Sequence, residues 1–94
     1  MNSPALSVVH DISRDCFETY VEGLRCELDY VLDGHVMRIT HTGVPRSLEG
    51  RGIAAELVRT ALSWARTQSL SVDPVCSYVG VYMRRHPEWA DLRV

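Results

Sequence analysis

Hydrophobic and polar positions alternate with a period of two through the first half of the chain. From Cys16 to Val21 the alternation is loose, with Phe17, Thr19 and Val21 on one side and Cys16, Glu18 and Tyr20 on the other. Glu22-Gly23 offers a turn, and Leu24 to Leu32 repeats the pattern more strictly. Leu24, Cys26, Leu28, Tyr30 and Leu32 share one face with Arg25, Glu27 and Asp29 between them, the mark of a half-buried strand. Asp33-Gly34 follows at once, a hairpin signal because both positions of a tight turn want positive φ. His35 to Val44, rich in β-branched residues, reads as the return strand. Pro45 has no ladder donor and ends it.

The period then changes. Between Gly50 and Thr67 the apolar positions are Ile53, Ala54, Leu57, Val58, Ala61, Leu62, Trp64 and Ala65, the stripe of an amphipathic helix. Leu70 to Cys76 predicts a short buried strand interrupted by Pro74. Ser77 to Arg85 predicts a second helix with Ser77 as N-cap and Pro87 as its stop, placing Tyr78 and Tyr82 on one side. Trp64 is expected on the apolar face of its helix and Trp89 over a sheet edge. Strand signals begin at about residue 16, and nothing before it reads as a helix pair. The order predicts an α/β protein of α+β type: a mostly antiparallel twisted sheet, a β-α-β crossover and two main helices.

Ninety-four residues fit one domain, 1–94, and 46% hydrophobic with 23% charged residues is ordinary globular composition. A formal net charge of −2 argues against a general electrostatic grip on nucleic acid or an anionic membrane. No apolar run reaches the roughly 18 residues of a membrane helix, and Met1-Asn2-Ser3-Pro4 lacks the basic start of a secretory signal. Cys16, Cys26 and Cys76 make an odd count without a C-x-x-C pair, pointing to reduced thiols and a cytoplasmic location. His10, His35, His41 and His86 show no compact ligand spacing, so no metal site is expected.

The local motif with chemistry in it is Glu49-Gly50-Arg51-Gly52-Ile53-Ala54, leaving a strand and entering a helix. Glycines there let a ligand approach the backbone, and the first helical N–H groups lack carbonyl partners, so the terminus favours phosphate. No Gly-Lys-Ser/Thr follows, and G-x-G-x-x-G is absent. A loop whose glycines merely permit a turn would look the same.

Read with its flanks, the hexapeptide acquires a context. His41-Thr42-Gly43-Val44-Pro45, the segment 49–54, Pro74-Val75-Cys76-Ser77-Tyr78 with Tyr82, and Arg85-His86-Pro87-Glu88 occur in that order. From about Phe17 to Leu92 the chain resembles the small GNAT-like acetyltransferase-domain proteins. The resemblance implies a reduced GNAT fold in which a Q/R-x-x-G-x-G/A segment cradles the pyrophosphate of acetyl-CoA. On this chain that segment is Glu49, Gly50, Arg51, Gly52, Ile53 and Ala54, with Thr42 and Val44 also facing the cofactor. It further implies that strands 36–44 and 71–76 splay apart to admit the pantetheine arm. Glu49 stands where Gln or Arg is usual, and nothing before about residue 16 reads as the amino-terminal helices that build much of the acceptor pocket in larger members, so a reduced acceptor side is expected.

Acetyl transfer needs an acceptor nucleophile, stabilisation of the oxyanion and protonation of the departing thiolate. Cys76, at a strand end just before a helix, is the first candidate, to take the acetyl group or to assist its transfer; the alternative is a small buried hydrophobe. Tyr82 and Tyr78 are candidates for the acid, or else amphipathic packing residues. His41, on the strand beside the expected arm, could accept a proton near neutral pH or simply be structural. Arg51 is expected to add charge beside the pyrophosphate, and Arg84-Arg85-His86 to complement the end of its helix. Three readings follow. The first is transfer of acetyl from acetyl-CoA to an unidentified amine; the others are a CoA-binding module without turnover and a protein-interaction domain that has kept the fold.

Overall fold

The computed structural model describes residues 6–94; the amino-terminal tetrapeptide considered above lies outside them. Five strands form one sheet in sequence order: β1 (Val9–Asp11), β2 (Cys16–Val21), β3 (Leu24–Asp33), β4 (Val36–Gly43) and β5 (Ser71–Pro74). The first four are antiparallel neighbours, and β5 lies parallel to β4. The crossover that a parallel pair requires is α1 (Ile53–Thr67), and α2 (Ser77–Arg85) follows β5. Both helices contribute to the one core cluster.

The alternation in β2 and β3 became the two faces of this sheet. Phe17, Cys26, Leu28 and Tyr30 are buried, and their neighbours Glu18, Glu27 and Asp29 face away from the helices. Against them α1 buries Ile53, Leu57, Val58, Ala61, Leu62 and Ala65. Each such aliphatic side chain contributes roughly 1.5–3 kcal/mol by leaving water. From α2, Val79, Gly80 and Met83 complete the layer.

Several boundaries differ from the expectation. Strand β1 was missed because three residues cannot display a period; it is held by its register on β2, Val9↔Glu18 to Asp11↔Cys16. The tight turn with two positive φ angles is Glu22-Gly23 (53° and 77°), whereas the second hairpin turns at Gly34-His35, where only Gly34 has positive φ. Helix α1 starts at Ile53, three residues after Gly50, because Gly50 and Gly52 are both left-handed. Pro74 ends β5 where an interruption was expected, and Cys76 takes the N-cap position of α2 in place of Ser77. Trp89 covers α1, not a sheet edge: its ring stacks under the Arg66 guanidinium at 4.6 Å, while Arg66 bonds Asp91 at 2.5 Å and the Glu88 carbonyl at 3.0 Å. Among the described residues no helix is long and apolar enough to cross a membrane.

At the far end of α1 an aromatic cluster fastens the edge strand. The His10 ring stacks on Phe17 at 4.0 Å, meets Trp64 edge-on at 4.4 Å and places Nε2 2.6 Å from the Tyr30 hydroxyl. Tyr30 is 2% exposed, and burial pushes its phenol up to about 12. Burial also lowers the His10 pKa, outweighing the opposing fields of Asp15 and Asp11. Both shifts favour a neutral ring hydrogen-bonded to a phenol that keeps its proton. Because folding depresses the His10 pKa, the folded state binds fewer protons, and its contribution is lost as pH falls below about 6.5 toward the folded value. Urea unfolding at pH 7.5 and 5.5 is expected to show a larger loss of stability on acidification for the wild type than for His10→Gln; equal losses would remove His10 from the account.

Candidate functional site

The site begins with one extra residue. Tyr30 pairs with Ile39 and Asp29 with His41, so Thr40 is left over as a bulge in β4. Its hydroxyl bonds the Asp29 carbonyl at 3.3 Å. A bulge reverses the alternation of side chains beyond it. Met37 and Ile39 point into the core, and after the bulge Thr42, opposite Leu28, takes that side while His41 is turned to the open face. The same point ends the parallel ladder, whose last pair is Ile39↔Pro74. The Cys76 N–H still reaches the Ile39 carbonyl at 2.9 Å, and beyond it β4 continues to Gly43 paired with β3 on one edge and unpaired on the other.

The gap opens onto a cavity of about 500 Å³, within the usual range for small-molecule sites. Its walls are Thr42, Gly43 and Val44 from the strand end, Leu48 to Gly50 and Gly52 from the loop, Ile53 to Ala55 from α1, and Tyr78 from α2. A 3-10 turn, Arg46–Leu48, buries Leu48 completely and fastens the loop to the core. Gly52 is the N-cap of α1, so no side chain caps the helix. The first intrahelical bond runs from Glu56 N–H to the Gly52 carbonyl at 3.1 Å, leaving the amides of Ile53, Ala54 and Ala55 without helical acceptors. All three residues line the cavity, and a Cβ built on Gly50 or Gly52 meets nothing within 4 Å. Glu56, in the first turn, is turned to Arg59 at 2.5 Å.

Of the residues singled out from the sequence, Thr42, Val44, Glu49, Gly50, Gly52, Ile53, Ala54 and Tyr78 meet at this cavity. Cys76 is half-buried and does not line the cavity; its Sγ lies 3.7 Å from the hydroxyl of Thr42, which does. Tyr78 is 41% exposed, and the desolvation of its ring raises its phenol pKa and keeps the proton on at neutral pH. Tyr82 does not line the cavity. Its ring stacks on His86 at 4.1 Å, one turn further along α2, and burial likewise raises its pKa.

Two of the singled-out side chains are engaged elsewhere in this structure. Arg51 does not lie beside the cavity: its guanidinium pairs with Glu22 in the β2–β3 turn at 2.5 Å, drawn to the nearest carboxylate. His41 does not face the gap, because the Thr40 bulge turns it toward Glu27, with Nε2 4.0 Å from Oε1. Glu27, Asp29 and His41 offer donor atoms within 4.8 Å of one another, a juxtaposition that depends on cross-strand register and was invisible in the spacing. Gly43 makes it possible, since a Cβ there would lie 2.9 Å from His41 Nε2 and 3.3 Å from Glu27 Oε1. Gly43, Leu48 and Ala55 were missed as cavity residues; Leu48 sits in a loop without periodicity, although Gly43 lies between two chosen residues and Ala55 follows directly on the glycine segment.

A sheet split beside a parallel strand, with a glycine loop opening onto a helix at the split, matches the fold expected of a GNAT-like N-acetyltransferase domain. Residues 16–92 match the family model described as GCN5-related N-acetyl-transferase. The chain is 32% identical over 85 residues to Protein NATD1 of Gallus gallus, covering 87% of this chain and 77% of that protein. The human Protein NATD1 gives 32% over 85 residues, covering 87% and 75%. A GCN5-like protein from Staphylococcus aureus, solved by NMR, superposes with a TM-score of 0.76 at 22% identity, over 95% of this chain and 88% of that one. The chain belongs to the GCN5-related N-acetyltransferase family.

The two helical glycine positions make opposite predictions. Gly52 has φ 80°, so Gly52→Ala is expected to destabilise by about 1–2 kcal/mol despite the open space around it. Gly80 lies inside α2 with nothing near a built Cβ, so Gly80→Ala is expected to stabilise by roughly 0.5–1 kcal/mol. Urea denaturation of both variants checks the pair.

Proposed function

We propose that the cavity binds acetyl-CoA and that the protein transfers the acetyl group to an amine. The observation that carries the reading is the uncapped start of α1, where three free amides and the positive end of the helix dipole face an open cavity through a glycine loop. An oxyanion-rich diphosphate fits that donor set. The amides of Ile53, Ala54 and Ala55 would hold it, with Gly50 and Gly52 admitting it to the backbone. The pantetheine arm would lie along the unpaired edge of β4 past Thr42 and Val44. Glu49 lines the same cavity, and its carboxylate weakens the field there without removing the amides.

Bound acetyl-CoA would supply the activated thioester. This chain's own groups would then orient and protonate. Cys76 and Thr42 form a thiol–hydroxyl pair at the split, where a nucleophile or a polarising group is needed. Tyr78, protonated and at the cavity wall, is better placed than Tyr82 to give a proton to a departing thiolate. His41 would act only on an amine approaching from the open face of the sheet.

One observation favours a second reading, a CoA-binding module without turnover: the bulge separates the imidazole of His41 from the Thr42 side of the strand, where the cavity lies. Calorimetric titration with acetyl-CoA, against desulfo-CoA and ATP, tests the cofactor site. Saturable binding of acetyl-CoA but not ATP is expected; no binding at millimolar ligand would overturn both readings. Across a panel of amines, Cys76→Ala is expected to lower acetyl transfer by about 100-fold or more with CoA affinity retained. Transfer undiminished in that variant removes Cys76 from the chemistry, and no transfer by the wild type favours the module.

A further inference from the structure

The glycine loop carries one cation, and that cation is already engaged. Arg51 stands between Gly50 and Gly52, both left-handed and without side chains, so its side chain ties the loop tip to another part of the molecule. Its Nη1 lies 2.5 Å from Glu22 Oε2, a partner 29 residues away in the β2–β3 turn. Glu22 itself is unusual, with φ 53° in a turn whose favoured residues are Asn, Asp and Gly. Those residues would satisfy the backbone better, but none has the reach of a glutamate. A residue held in a sparsely populated conformation is a reason to look for a role, and here its side chain ends on the arginine of the candidate phosphate loop.

We propose that Glu22 is the resident counter-ion of Arg51 and that an incoming diphosphate displaces it, so that the β2–β3 turn sets the loop's affinity for its ligand. This rests on the acyl-CoA reading of the cavity. Without ligand, the carboxylate neutralises Arg51 and holds it away from the cavity. A diphosphate at the start of α1 offers the guanidinium more charge and more acceptor oxygens than one carboxylate. The pair is half exposed, 48% and 61%, so giving it up costs little. Arg51 can then offset Glu49 at the cavity wall.

The test is calorimetric titration of the full chain with CoA and, separately, inorganic pyrophosphate. It uses the wild type, Glu22→Gln, Arg51→Gln and the double variant, at low salt and at about 0.5 M salt. Glu22→Gln is expected to bind both probes about two- to five-fold more tightly at low salt. The gain should vanish when Arg51 is also Gln and shrink at high salt. Glu22→Gly removes the carboxylate and suits the positive φ, so it should show the same tightening with a raised thermal midpoint, separating affinity from any folding defect. Affinity unchanged or weakened in both Glu22 variants overturns the proposal and leaves the acyl-CoA reading standing. A gain that persists without Arg51 also overturns it. A wild type that binds neither probe overturns both.

Discussion

One surplus residue in a strand organises this molecule. Were Thr40 paired as an ordinary strand residue and not bulged, the alternation of β4 would carry His41 into the core side and Thr42 out of it. With the bulge, the strand bends where its parallel partner reaches Pro74, which has no N–H to continue the pairing. Two local defects, a bulge on one strand and a proline on the other, thus fall side by side and open the sheet. The cost is a length of β4 without a partner on one edge, tolerable only because something else occupies the space or water does.

The same economy governs the loop. A phosphate site built on side chains would need cations held near one another against their repulsion. The unpartnered donors at the start of α1 are backbone amides, and the residues that carry them are small or apolar. The loop is anchored by a buried leucine at one end and by a long-range ion pair at its tip. Charge near the site is therefore adjustable: Glu49 can stand where the resembled pattern has Gln or Arg while the peptide donors, which no side chain defines, stay in place.

Much of this was legible from residue order. The period of two in β3, the stripe of α1 and the glycines at 50 and 52 each express a local rule, and each led to the right element. What stayed hidden depends on pairing between distant segments. The bulge is a property of two strands together, so no inspection of 36–44 alone would have turned His41 outward or joined it to Glu27 and Asp29. The Arg51–Glu22 contact spans 29 residues and leaves no periodic trace. Strand β1 is defined by what it lies against, and Ser77 lost the N-cap to Cys76 because the backbone remains extended until residue 76. The cavity residues followed from a family resemblance joined to a local motif, and their arrangement required the fold.

Helix α1 is a rod of 15 residues, roughly 22 Å long, with the candidate site at one end and the aromatic cluster near the other. The two tryptophans both sit toward that second end: Trp64 against the His10 ring and Trp89 under Arg66. Intrinsic fluorescence in this protein is therefore a gauge of the joint that holds the edge strand and the carboxy-terminal turn. Trp64 in contact with an imidazole makes its emission a built-in optical reporter of that imidazole's charge. A ligand at the glycine loop, ten residues or more up the helix, would be dark to it unless the whole rod moved.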